Sequence, residues 1–139
     1  MPQFWLLKSE PDEYGWDDLV ENGSAIWEGV RNHQAANNLR AMEVGDEAFF
    51  YHSAISQPAA VGIMKVSEAA FDDPTDESGK WPALRVEPVR KLARPVTLKA
   101  MKGEGALSDL AIIRQSRLSV APVRAKEWEI ILRMAENRG

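Results

Sequence analysis

The five tryptophans are the residues of this sequence best suited to bind a planar ligand, because a base stacks well on an indole face. Trp27 is the strongest candidate, since it stands beside Glu28, Gly29, Arg31 and Asn32 and has little apolar company. An indole next to a glycine turn, an arginine and an asparagine is what a stacking site with polar edge readers needs. Packing of Trp27 in the core is the alternative that the sequence leaves open.

The other tryptophans have simpler interpretations. Trp5 stands in an apolar strand and Trp128 on an amphipathic helix, so both are predicted to pack in the core. Trp81 precedes Pro82 at the edge of a loop, where a structural role and a place on the rim of a binding pocket are both open.

Polar side chains near the ends of predicted strands supply the donors and acceptors that base recognition needs. They are Lys8, Ser9, Arg31, Asn32, His52, Gln115 and Arg117. Asparagine and glutamine amides read base edges through paired hydrogen bonds, whereas arginine contacts a phosphate or stacks. The alternative is a solvated surface charge for each arginine and a hydrogen bond within a turn for Ser9.

For catalysis the sequence offers little. It contains no GxSxG, HExxH, Walker A or GxGxxG motif, and nothing singles out carboxylates that would complete a metal site with His33 or His52. The absence of cysteine excludes disulfides, Cys-ligated zinc, iron–sulfur clusters and thiol nucleophiles. We therefore expect a protein that is not an enzyme and that uses neither a metal nor a cofactor.

The composition is that of one globular domain of 139 residues, with 45% apolar and 27% charged residues. Residues 1–79 hold 4 basic and 15 acidic side chains, while residues 80–139 hold 13 and 6. This asymmetry favours a basic face, although interleaved strands would cancel it. The net charge of −4 predicts few phosphate contacts and a shallow salt dependence if a nucleic acid binds.

The longest apolar runs, such as residues 59–64, are far too short to cross a bilayer, and no signal peptide pattern is present. Together with the lack of cysteine, this predicts a cytoplasmic protein with no membrane partner. The sequence leaves the oligomeric state open and favours a monomer.

Hydrophobic periodicity and turn residues predict several short strands and helices in no regular βαβ order. Strands are predicted at residues 3–8, 26–27, 47–52, 59–66, 84–92 and 118–123. Helices are predicted at residues 12–22, 31–42, 97–101 and 106–113, and at the chain end, where Trp128, Ile131, Leu132 and Ala135 form one stripe. Residues 72–82 are predicted to be an exposed loop. This order favours a small mixed barrel and argues against a doubly wound sheet.

Four blocks of sequence together resemble the EVE domain family. They are FWLLKSEP (4–11), WEGVRNHQAANNLR (27–40), VGDEAFFYHS (44–53) and RLSVAPV (117–123). The resemblance runs from the first strand to the last helix, and the chain looks like a bacterial single-domain member. It implies an α+β, PUA-like fold over residues 1–139, namely a twisted mixed β-barrel of five to six strands with short peripheral helices. This fold is related to the YTH readers of methylated adenine.

The resemblance also implies roles for individual residues. Lys8, Ser9 and Trp27 resemble the YTH pocket elements that hold and stack a base. Arg31, Asn32 and His52 look like further pocket residues of the EVE family. Gln115 and Arg117 lie in a block that the family shares, with Arg117 near the phosphate side. Trp5, Tyr51 and Trp81 are candidates for a second aromatic wall, and His33 stands where the family commonly has an aromatic residue.

The function that follows is recognition of a nucleobase, with a modified base expected, in an aromatic-walled pocket of a module that binds nucleic acid. One alternative is a general RNA-binding module without preference for a modification. The other is an enzyme acting on a nucleotide or a modified base, with Glu10 or His52 as acid or base. The sequence leaves open whether the partner is DNA or RNA, which modification is preferred, and in which pathway the protein acts.

Overall fold

The computed structural model describes residues 3–136, which form six strands and five α-helices. In chain order these are β1 (Phe4–Ser9), α1 (Trp16–Asn22), β2 (Ala25–Trp27), α2 (His33–Ala41), β3 (Glu47–His52), β4 (Ala59–Asp72), β5 (Pro82–Thr97), α3 (Leu98–Lys102), α4 (Ala111–Arg114), β6 (Val120–Val123) and α5 (Ala125–Glu136). A 3-10 turn at Gly105–Leu107 separates α3 from α4. Within residues 3–136, no helix has the length and hydropathy of a membrane-crossing segment.

All six strands belong to one sheet in the order β2-β5-β4-β3-β1-β6. β1 and β3 pair in parallel, and every other pair is antiparallel. The predicted α+β class with six strands and short helices is confirmed. The sheet is twisted, but within the described residues it does not close into a barrel, because its two edge strands, β2 and β6, do not pair with each other.

The long β4–β5 ribbon is the element that the sequence predicted least completely. Both strands extend beyond the predicted residues 59–66 and 84–92, so the loop expected at residues 72–82 is shorter. The pairing of β4 with β5 shifts register four times between Ala60 and Phe71. Each shift bends the ribbon and increases its twist, and it also interrupts the alternation that a sequence pattern relies on.

Two helices begin later than predicted because local hydrogen bonds hold the preceding residues outside the helix. The backbone N–H groups of Glu13 and Tyr14 donate to Glu10 O in a turn, so α1 starts only after Gly15. Asn32 lies outside α2 and caps it, since its Oδ1 accepts from the Ala35 N–H at 2.9 Å. The two helix starts therefore place a turn at residues 10–14 and a capping side chain at position 32.

Aromatic rings fill the core and hold α5 on the sheet. Trp128 of α5 stacks on Phe49 and Phe4, with ring centroids 4.0 and 4.5 Å away. The indole Nε1–H of Trp5 donates to the buried carboxylate of Asp46 at 3.0 Å. Both Trp5 and Trp128 are core residues, as predicted, and α5 covers the sheet with the buried side of its predicted stripe.

Gly62 of β4 allows α1 to lie against the sheet. A Cβ atom at position 62 would lie 2.5 Å from the ring of Trp16, which is buried at the start of α1. Trp16 in turn meets the ring of Phe50 edge to face, with the centroids 5.8 Å apart. Because Gly62 has no side chain, the Trp16 ring, and with it α1, can lie close to the sheet.

We predict that Gly62→Ala lowers the free energy of unfolding by about 1–3 kcal/mol, because the added methyl group forces the Trp16 ring out of its place. Urea unfolding followed by far-UV circular dichroism measures the change. Gly105→Ala is the matched control, since a Cβ atom at position 105 meets nothing within 4 Å. Equal stability of Gly62→Ala and the unmodified protein would contradict this packing.

Candidate nucleobase site

A cavity of about 1050 Å³ opens at the carboxyl end of β1. Its walls come from segments distant in sequence, namely residues 8–10, 13–14, 22, 24–29, 53–54, 85, 116–117 and 119. Among these are Trp27 and the predicted site residues Lys8, Ser9 and Arg117. The size suits a ligand as large as a nucleotide. The fold therefore brings four of the predicted site residues to one cavity.

Trp27 forms a rigid part of the cavity wall. β2 holds it through antiparallel pairing opposite Leu84, and only 8% of its surface is exposed. Its ring meets Phe50 edge to face, at a centroid distance of 5.4 Å and an interplanar angle of 83°. The two interpretations of Trp27 from the sequence are thus compatible, because this residue packs on the core and also lines the cavity.

Lys8 and Ser9 enter the cavity at the end of β1. The Lys8 Nζ donates to Ser116 O at 2.9 Å and lies 5.7 Å from the centroid of the Tyr51 ring. Burial lowers the pKa of the Lys8 ammonium. The Ser9 hydroxyl donates to Tyr14 O at 2.6 Å, which leaves the hydroxyl oxygen to accept a hydrogen bond from a ligand.

Gly29 is held in place by a carboxylate from the distant segment that joins β4 to β5. Gly29 has a φ of +80°, a conformation that favours glycine, and its N–H donates to the buried Asp73 Oδ2 at 2.8 Å. The Arg31 Nη1 donates to the same oxygen at 2.9 Å, and Thr75 donates to Oδ1 through its backbone and hydroxyl. Asp73 therefore fixes the backbone that follows Trp27.

The pKa of Asp73 reflects this role. Burial would raise the pKa of the carboxyl, but hydrogen bonds from Thr75, Gly29 and Arg31 outweigh burial and hold the pKa at about 2. Arg31, predicted as a base-binding residue, is thus placed outside the cavity lining and helps to hold the loop that follows Trp27.

Trp81 lies in a second aromatic cluster, outside the cavity lining. Its ring contacts His33 at a centroid distance of 5.0 Å, and the charged groups of Arg31 and Lys80 lie 5.9 and 5.1 Å from its centroid. His33, at a position where the family commonly has an aromatic residue, thus contributes its ring to this cluster. The geometry gives Trp81 no part in the wall opposite Trp27.

His52 also lies behind the cavity and not in its lining. Its Nε2 accepts from the Trp16 N–H at 3.1 Å, and its ring meets Phe50 edge to face at 5.5 Å. Burial lowers the pKa of the imidazole; the charge of Asp17 opposes this shift and that of Lys91 adds to it. The neutral ring therefore anchors the start of α1.

A smaller groove of about 340 Å³ borders the cavity and shares Ser116 and Arg117 with it. Asn32, Gln34 and residues 114–118 line this groove. The predicted site residues Asn32 and Gln115 lie here, one beside the α2 start and one at the end of α4. The predicted residues thus divide among the cavity, this groove, the cluster of Arg31 and Trp81, and the contacts of His52 with Trp16 and Phe50.

Several residues of the cavity lining were not predicted from the sequence. Tyr14 receives a hydrogen bond on its hydroxyl from Asn22 Nδ2 at 2.9 Å, and both residues line the cavity. Glu13 and Glu28 stand exposed at the mouth. The turn at residues 10–14, marked by Pro11 and Gly15, is the one signal that would have placed Tyr14 here. Carboxylates at the mouth suit acceptance of hydrogen bonds from an amino group of a base.

A mixed six-stranded sheet with short peripheral helices and a cavity at the end of its first strand defines the PUA-like class of fold. The chain belongs to the EVE domain family, because the EVE domain profile matches residues 3–134. Among the described residues, no group of three or more His, Asp or Glu side chains is arranged to hold a metal ion.

Solved structures of similar proteins agree with this assignment. Rpa0253 from Rhodopseudomonas palustris is 43% identical, with a TM-score of 0.90 over 96% of this chain and 93% of that chain. Human THYN1 protein, in complex with DNA containing 5-methylcytosine, is 31% identical, with a TM-score of 0.92 over 99% of both chains. The YTH domain of Zygosaccharomyces rouxii MRB1, in complex with N6-methyladenosine RNA, is 19% identical, with a TM-score of 0.60 over 96% of this chain and 86% of that chain; this likeness shows a shared fold.

We predict that Asp73→Asn lowers the free energy of unfolding by about 2 kcal/mol at neutral pH, because the loop loses its charged acceptor. The folded-state pKa of about 2 lies below the usual 3.8, so the carboxylate stabilises the fold fully above about pH 4. This contribution is lost as the pH falls towards 2, and the two proteins then converge. Urea unfolding at a series of pH values measures the difference.

Asp72→Asn is the matched control, because Asp72 is adjacent and exposed. We expect this variant to follow the unmodified protein at every pH. A stability gap between Asp73→Asn and the unmodified protein that stays constant from pH 7 to pH 2 would show that the charge of Asp73 contributes nothing.

Proposed function

We propose that this chain is a non-catalytic module that binds nucleic acid and takes one nucleobase, with a modified base preferred, into the cavity beside Trp27. The observation that carries the proposal is the placement of a rigid indole in the wall of a nucleotide-sized cavity with polar groups from separate segments around it. The complex of human THYN1 with DNA containing 5-methylcytosine supports it, because that protein shares the fold over 99% of this chain. The working unit is a single EVE domain over residues 1–139.

In this proposal the base stacks on Trp27, and the hydroxyl oxygen of Ser9 accepts a hydrogen bond from its edge. Lys8 and Arg117, on the same cavity wall, bind the phosphate of that nucleotide. A base reaches such a cavity only from a single strand or after extrusion from a duplex, because its faces are covered while it is stacked. The partner is therefore a nucleic acid with one base out of its stack.

The contacts of the candidate acid and base support binding over catalysis. His52 is outside the cavity lining, and its Nε2 is occupied by the Trp16 N–H. Glu10 lines the cavity as an exposed residue, so its carboxylate is open to bulk water. We place this binding activity in the cytoplasm, in keeping with the absence of cysteine.

We predict that Trp27→Leu weakens binding of an oligonucleotide containing 5-methylcytosine by about one to two decades, because stacking on one aromatic ring is worth about 1–3 kcal/mol. Leucine keeps an apolar side chain against Phe50 but removes the flat face. Trp27→Phe restores a ring and is expected to recover most of the affinity. Fluorescence anisotropy of a labelled oligonucleotide measures all three proteins.

Trp81→Ala is the matched control, because it removes an indole that does not line the cavity. Circular dichroism establishes that each variant is folded. Unchanged affinity in folded Trp27→Leu would contradict the proposed stacking, as would a larger loss in Trp81→Ala.

We predict further that a panel of matched oligonucleotides, with methylated, hydroxymethylated and plain bases in single-stranded DNA and RNA, separates into tight and weak binders. At least one modified strand is expected to bind more tightly than its plain counterpart, because a shaped cavity discriminates by contacts to the added group. Equal affinity for modified and plain strands would contradict the preference and would favour a general RNA-binding module.

A further inference from the structure

The groove beside the cavity differs from the cavity in charge. Arg114 and Arg117 line it, and none of its seven lining residues is acidic. The cavity lining, by contrast, balances three cationic side chains against three carboxylates, namely Lys8, Arg85 and Arg117 against Glu10, Glu13 and Glu28. In a chain with a net charge of −4, a groove lined by two guanidinium groups and by no carboxylate is locally positive; the Asp109 carboxylate, which pairs with Arg114, lies outside the lining.

The groove is continuous with the cavity through a shared wall. Ser116 and Arg117 line both, so a strand that leaves the cavity at this wall passes directly into the groove. The groove holds amide side chains from Asn32, Gln34 and Gln115, which donate hydrogen bonds to phosphate oxygens. It has no aromatic side chain on which a second base would stack. The side chains of the groove therefore suit the sugar-phosphate backbone of a nucleic acid and not a base.

We propose that this groove binds the phosphodiester of the nucleotide adjacent to the one in the cavity, with Arg114 as the principal contact. The inference rests on the proposed function, because it needs a base in the cavity to set the register of the strand. Arg117, at the shared wall, lies between the two phosphates, whereas Arg114 serves the groove alone.

The ion pair of Arg114 does not oppose this role. Its Nη1 lies 3.3 Å from the Asp109 carboxylate, and both side chains are about two-thirds exposed, at 67% and 65%. Pairs this exposed contribute little to stability, so the guanidinium exchanges Asp109 for a phosphate at small cost. A phosphate accepts two parallel hydrogen bonds from arginine, which lysine does not reproduce.

The test compares two probes, 5-methyl-2′-deoxycytidine as a free nucleoside and a short single strand with the same base at its centre. We expect Arg114→Ala to weaken binding of the strand about fivefold at low salt and to leave nucleoside binding unchanged. The slope of log K against log salt for the strand is expected to fall in magnitude by about 0.7, the value of one phosphate contact. Arg114→Lys is expected to retain the slope and part of the affinity.

Arg133→Ala is the matched control, because it removes an exposed arginine of α5 that lines neither the cavity nor the groove. If Arg114→Ala binds the strand with the affinity and salt slope of the unmodified protein while Trp27→Leu loses binding, the phosphate groove is disproved and the base site stands. If neither variant changes strand binding, the base site and the groove both fail.

Discussion

The ring of Phe50 is the contact on which the site depends. It is fully buried in the central strand β3 and meets three other rings edge to face, those of Trp16, Trp27 and His52. Trp16 is the first residue of α1, Trp27 is the last residue of β2, and His52 is the last residue of β3. Edge-to-face contacts fix the angle between rings as well as their distance. One core side chain therefore sets the orientation of the cavity wall, of the adjacent helix and of the histidine that caps it.

A stacking wall must satisfy two opposing demands. The indole needs packing on one side to stay rigid, and it needs an open cavity on another side to receive a ligand. Phe50 meets the first demand, and the Asp73 carboxylate, which accepts hydrogen bonds from Gly29 and Arg31, fixes the backbone that follows Trp27. A binding site that is already rigid before the ligand arrives loses less conformational entropy when the ligand binds. In the proposed function, the Asp73 network therefore supports the stacking residue although Asp73 does not line the cavity.

The difference in charge between the two halves of the sequence did not predict which charged residues meet at the cavity. The acidic first half and basic second half favoured a basic face, yet the cavity takes residues from both halves because β1 pairs with β3 and with β6. Lys8 from the first half and Arg117 from the second meet on one wall. The adjoining groove adds Arg114, and so few cations predict few phosphate contacts in the proposed complex.

The strands, the α5 stripe and the place of Trp27, Lys8 and Ser9 follow from local patterns and from the resemblance to the EVE domain family. The supporting roles of Arg31, His52 and Trp81 do not, because their partners lie far away in sequence or in another element. Arg31 meets Asp73 across 42 positions, and His52 meets Trp16 across 36. No periodicity encodes such pairs. The length of β4 was missed for a related reason, since its four register shifts interrupt the alternation of the pattern.

Stacking of a base on Trp27 is tested most directly by titration with an oligonucleotide that contains 5-methylcytosine. The indole signals of a ¹H–¹⁵N correlation spectrum report the result. The five tryptophans give separate Nε1–H signals, and the spectrum of Trp27→Phe identifies that of Trp27. We predict that the Trp27 signal moves most, while the signals of Trp5, hydrogen-bonded to Asp46, and of Trp128, stacked in the core, stay in place. A saturated complex in which the Trp27 signal has not moved would contradict a base stacked on that ring.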